Sequence, residues 1–125
     1  MILPEAVEFL APVMAIDGFR LGCLIDASTG MVVASVQNQD DFASPVAAAG
    51  AADIVNVLTL LNGKLATGEI LEDVMITFSD SYFMVRPVEQ DKEPRILLLV
   101  VADRHRTNLA LAHRSLRDLC ASFPA

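Results

Sequence analysis

Residues 44–68 read SPVAAAGAADIVNVLTLLNGKLATG, and this stretch decides the fold. Serine is a good helix cap, so Ser44 serves as the N-cap. Pro45 suits the first helical position, where its missing N–H would have no partner anyway. The spacing predicts a helix over 45–66, with Gly68 near its end and Gly63 offering an earlier stop. On a helical wheel Val46, Ala47, Ile54, Val57, Leu58, Leu61 and Leu65 form a wide apolar stripe, sufficient to cover a sheet. Gly50 falls on that stripe, where a missing side chain would let the sheet come close. Ala48, Ala51, Ala52, Val55 and Thr59 form a second surface of small side chains bordered by Asn62. Only Asp53, Asn56 and Lys64 mark a narrow wet edge, with Leu60 among them. A helix apolar nearly all round is buried nearly all round. Small residues also admit a second helix toward the short end of the usual ~8–10 Å axis separation. The small-residue surface is therefore expected to meet a second copy of the chain.

The flanking sequence is punctuated into short elements. Pro4 opens a helix over 4–15 with Val7, Leu10, Val13 and Met14 on one stripe, Pro12 shortens or kinks it, and Gly18 ends it. Two apolar runs, 20–26 and 31–37, flank AlaSerThrGly and predict a hairpin. A second hairpin is predicted from 73–79 and 82–88 around Asp80-Ser81. Residues 95–102, RILLLVVA, are apolar on both faces, as in a central strand covered from both sides. Thr107 or Asn108 caps a last helix, with Leu109, Ala112, Leu116 and Leu119 on its buried stripe and Pro124 beyond its end. The order α-β-β-α-β-β-β-α implies one α/β domain of the α+β type over 1–125: a five-stranded antiparallel sheet with helices on both faces. The strand at 73–79 follows the long helix and is placed at a sheet edge, where Val74, Met75, Ile76, Thr77 and Phe78 invite pairing with another strand. Glu69, Glu72 and Asp73, just upstream, limit promiscuous pairing. The expectation is an isologous dimer through helix and edge strand.

Composition narrows the function classes. The chain is 54% hydrophobic over 125 residues, above the ~45–50% typical of soluble domains, so the surplus is assigned to a shared interface. The longest apolar run is Ile96 to Ala102, far short of a membrane span, and MILPEAVEFL lacks the basic start of a signal peptide. The net charge of −7 argues against nucleic acid and anionic membrane surfaces. The charge is uneven: residues 1–94 hold four Lys/Arg against fourteen Asp/Glu, whereas 95–125 hold five Arg against two Asp. Arg104, His105, Arg106, Arg114 and Arg117 are accordingly candidate contacts for an acidic partner. Cys23 and Cys120 sit among apolar neighbours in no metal or redox spacing, which fits a cytoplasmic chain.

No catalytic, cofactor or metal site can be assembled from the sequence. His105 and His113 have no further His or Cys at ligand spacing. Asp40 and Asp41 precede the long helix, where its dipole alone favours carboxylates, and Asp26 ends a strand, where turn formation is the ordinary role. There is no P-loop, GxGxxG or GxSxG, and Ser28-Thr29-Gly30 lacks the second glycine and lysine of a phosphate cradle.

The whole pattern resembles the Roadblock/dynein light chain family. The echoes are AspGlyPheArgLeuGly at 17–22, AspAlaSerThrGly at 26–30 and AlaAlaAlaGlyAlaAla at 47–52. Two more are the IleThrPhe…TyrPheMetVal hairpin and ThrAsnLeuAlaLeu…SerLeuArgAspLeu at 107–119. The resemblance spans essentially the whole chain and is to the short, stand-alone bacterial type. It implies a profilin-like sheet with the long helix on one face and the two terminal helices on the other. It also implies dimers, of the chain with itself or a related Roadblock chain, through the middle helix and an edge strand. The implied role is a non-enzymatic regulator or scaffold of a small Ras-like GTPase. A small-molecule-sensing or purely structural dimerisation module is the alternative.

Overall fold

The computed structural model describes residues 3–38, 42–89 and 93–123. Asp40, Asp41 and Pro124 lie outside these residues. Helix α1 (Leu3–Leu10) passes at Ala11 into a 3-10 turn (Ala11–Ala15) that carries Pro12 in its first turn. A proline ring clashes with the carbonyl four residues back in an α-helix, so the change of winding falls where Pro12 requires it. Ala6, Leu10 and Val13, at helical spacing, form the buried stripe, whereas Val7 and Met14 face outward, contrary to expectation.

Strands β1 (Phe19–Asp26) and β2 (Val32–Gln37) form the first hairpin, and β3 (Val74–Thr77) and β4 (Ser81–Pro87) the second. The last strand, β5 (Ile96–Asp103), pairs antiparallel with both β1 and β4. The sheet order is β2-β1-β5-β4-β3, every neighbouring pair antiparallel, with β5 at the centre and β3 at an edge as the sequence predicts. Along β5 Leu98, Val100 and Ala102 enter one core, and Leu97, Leu99 and Val101 enter the other. The first core lies under α1, the 3-10 turn and α3 (Leu109–Ala121); the second lies under α2 (Ser44–Leu65). On α3 the buried residues are Ala112, Leu116 and Cys120, flanked by the half-buried Leu109 and Leu119. The side chain of Asn108 accepts from the Leu111 N–H at 3.1 Å, which makes Asn108 the cap.

The ends of α2 differ from the expected ones. Its N-cap is Ala43, with no side-chain cap, and Ser44 lies inside the first turn. Its C-cap is Ala66, a non-glycine residue in the left-handed region at φ 54°. Asn62 secures the exit by donating to the Glu69 carbonyl and accepting from Thr67 Oγ1 at 2.8 Å. Asn56 donates to the Ala27 carbonyl at 3.1 Å and so ties mid-helix to the β1–β2 turn. In that turn Asp26 accepts from the side chain and backbone of Ser28, bonds that hold its carboxyl below the usual range. Gly22 is required within β1, because a Cβ there would lie 2.7 Å from Val13 Cγ2.

Candidate assembly interface

The two apolar faces of α2 are exchanged relative to the expectation. Ala48, Ala51, Ala52 and Val55 are buried in the chain's own second core and so do not form the outward face. Thr59 is half-buried. The stripe of larger residues is the exposed one: Val46 is 73% exposed, Val57 63%, Leu61 50% and Leu65 63%. The reason is volume. The sheet beneath α2 is filled by Leu21, Ile25, Leu97, Leu99 and Val101. A close-packed interior sets small side chains against large ones, so the helix presents its alanines inward. Gly50 does not serve close approach to the sheet, since a Cβ there would meet nothing within 4 Å.

The helix also leaves part of the sheet bare. It packs on β1, β2 and β5. Five strands at ~4.8 Å spacing are about 19 Å across, while one helix is only ~10–12 Å wide. Beside α2, over β4 and β3, runs an open apolar groove of about 170 Å³. Val46, Gly50 and Ile54 form its helical wall, and Ile76, Phe78 and Phe83 its floor. Phe78, at the end of β3, is 54% exposed and stacks edge-on against Phe83 at 5.1 Å. Toward the other end of α2 a second open groove, about 430 Å³, lies between Leu58, Leu61 and Leu65 and the segment from Glu69 to Asp73. The start of α2 thus lies beside the end of β3, and the two run in opposite directions.

Of the strand residues proposed for contact, Val74, Met75 and Ile76 are half-buried, and Thr77 and Phe78 are exposed. Val74 and Ile76 face the α2 side, and Met75 packs into the opposite core. By length and averaged hydropathy α2 would be long and apolar enough to cross a membrane, a feature that uninterrupted apolar runs did not reveal. Here it is docked on its own sheet.

The basic candidates fall into two groups. Arg104, His105 and Arg106 sit in the turn after β5, beside the β3–β4 turn. Arg104 Nη1 donates to the Phe78 carbonyl at 3.2 Å, and His105 Nε2 lies 2.9 Å from Asp80. Arg114 and Arg117 are exposed on α3, across the sheet from α2, with Arg117 3.9 Å from Asp118. His113, which the sequence leaves without a partner at ligand spacing, contacts Asp73 at 2.8 Å, and Arg86 shares that carboxylate at 3.3 Å. Sequence reasoning had no means of pairing residues forty positions apart. Cys120 lies near Arg86, but burial pushes its thiol up to about 11, more than the neighbouring guanidinium lowers it. The thiol is therefore held protonated and poorly nucleophilic. Among the described residues no group of three His, Cys, Asp or Glu could hold a metal ion.

No protein-family model matches the sequence, and no curated protein matches it. Solved structures do match the fold. A Roadblock/LC7 domain from Streptomyces avermitilis is similar with a TM-score of 0.77 at 15% identity, covering 93% of this chain and 92% of that one. MglB of Myxococcus xanthus gives 0.81 at 14% identity, over 95% of this chain and 84% of the other. An MglB with a tetrameric arrangement gives 0.79 at 18% identity, over 94% and 84%. The chain has the Roadblock/LC7 fold.

Proposed function

We propose that this chain, built on the Roadblock/LC7 fold, is a non-enzymatic regulator or scaffold that self-associates through α2 and β3 and in that state binds a small Ras-like GTPase. One observation carries the self-association: α2 turns its large apolar residues outward beside a strip of sheet it does not cover. Val46, Val57, Leu61 and Leu65 are each at least half exposed. Monomeric proteins rarely leave such a contiguous patch open. A second copy brings a second helix of the width the bare strands need, and an edge strand to continue the sheet. The tetrameric arrangement of one MglB of this fold supports association between such chains.

The GTPase is the partner implied by the Roadblock resemblance. Arg104, His105, Arg106, Arg114 and Arg117 are all exposed, and of these Arg106 and Arg114 make no ion pair among the described residues and could meet an acidic surface. The test has two arms. Sedimentation equilibrium of the purified chain should give a dimer or a multiple of it, and a monomer at micromolar concentration would sink the self-association. Small GTPases of the same genome should then be assayed for retention by the tagged chain and for altered GTP turnover. Neither binding nor a change in turnover with any of them would remove the GTPase from the proposal and leave the assembly.

A further inference from the structure

The two ends of β3 carry opposite charge. Glu72 is exposed immediately before the strand and makes no ion pair among the described residues. Its neighbour Asp73 is already shared by Arg86 and His113 of its own chain. At the far end the guanidinium of Arg104 is held beside the last turn of the edge hairpin by its bond to the Phe78 carbonyl, 3.2 Å away. The other acid at that end, Asp80, is met by His105 at 2.9 Å.

We infer that Arg104 of one copy pairs with Glu72 of a second copy, and that this pair, made twice about a two-fold axis, sets the strand register and selects this same chain as the partner. The inference rests on the self-association through α2 and β3 proposed above. Strand Val74–Thr77 is four residues long. Opposed residues of an antiparallel pair share a face, so with Val74 and Ile76 on the α2 side the strand pairs with itself with Val74 opposite the partner's Ile76 and Met75 opposite the partner's Met75. The same register sets Phe78 opposite the partner's Glu72, so the guanidinium held on the Phe78 carbonyl comes beside that carboxylate. A parallel pairing would bring Glu72 near Glu72 and Arg104 near Arg104.

The helices agree with this direction. A two-fold axis through paired β3 strands lays the two α2 helices antiparallel on one face of the continuous sheet. The exposed stripe has Val46 and Gly50 near its start and Leu61 and Leu65 near its end. Antiparallel helices set the start of each stripe against the end of the other. Charge thus selects one orientation and one occupant, a second copy.

The experiment uses full-length chains bearing Glu72→Arg or Arg104→Glu, with different mass tags, in native mass spectrometry and sedimentation. Each variant alone sets like charges opposite each other twice, and its dimer should weaken about tenfold, an effect that shrinks at high salt. Mixed together, the two variants regain both opposite-charge pairs, so the mixed dimer should exceed either self-dimer. That recovery cannot arise within one chain. Variants that dimerise as tightly as the unchanged chain, or that show no preference for mixing, would overturn the pairing and leave self-association intact. A monomeric unchanged chain would overturn both. Circular dichroism of each variant confirms the fold, since both side chains are exposed.

Discussion

Val57→Asp separates the two faces of α2 more sharply than any other single change. Val57 is 63% exposed in the protomer, so its substitution removes little packing from the chain's own core. Fully burying a valine or leucine is worth ~1.5–3 kcal/mol, so covering the open part of Val57 on assembly contributes about 1–2 kcal/mol. An aspartate there must also lose water against an apolar surface, which costs several kcal/mol more. The dimer should weaken by at least about a hundredfold, since each 1.4 kcal/mol is a factor of ten. The protomer's own stability should move by no more than ~0.5 kcal/mol, as for an ordinary surface substitution. Sedimentation equilibrium reads the first quantity. Urea unfolding at a concentration where the unchanged chain is already dissociated reads the second, so that mass action does not confuse the two. An unaltered dimer, or a variant that unfolds as a protomer, would refute the assignment of the outer face.

Three further expectations concern the fold. Gly22→Ala forces a methyl against Val13 Cγ2, where an ideal Cβ is already 2.7 Å away, and should cost ~1–3 kcal/mol in urea unfolding. Ala66→Gly relieves a left-handed C-cap and should stabilise by about 0.5–1 kcal/mol, seen as a raised melting temperature. Burial pushes both Cys23 and Cys120 up to about 11. An unfolded thiol ionises near ~8.5, so above that pH the unfolded chain loses protons that the folded chain keeps. Stability is therefore complete below about pH 8.5 and falls as pH rises to 11, by ~2–3 kcal/mol per thiol. The fall should be smaller in Cys23→Ala, and equal pH profiles for the two proteins would contradict the burial account.

Element order was legible because its signals are local. Prolines at 4, 12 and 45, the AlaSerThrGly turn and the doubly apolar run through β5 each act within a few residues. The orientation of α2 was not legible from periodicity. A wheel shows that a helix has two apolar faces, but which one meets its own sheet depends on the volumes across the contact. Here Leu97, Leu99 and Val101 come from a strand some fifty residues away. Comparing the sizes of the two faces with the bulk of β5 was the signal that could have placed them. The Asp73–His113–Arg86 cluster was invisible for the same reason, because three separate elements bring it together. In α1 the error was smaller: Ala6, a small residue, is in the core where Val7 was expected, and Leu10 and Val13 are buried as expected.

The alanine face of α2 has a further consequence. The residues that hold this helix to its own sheet are different from those it shows to the outside. Substitutions at 46, 54, 57, 61 or 65 can therefore change what the helix prefers to touch without disturbing the interior. The inner face is fixed by volume, and the outer face is free to diverge. One scaffold divided in this way can carry many contact specificities.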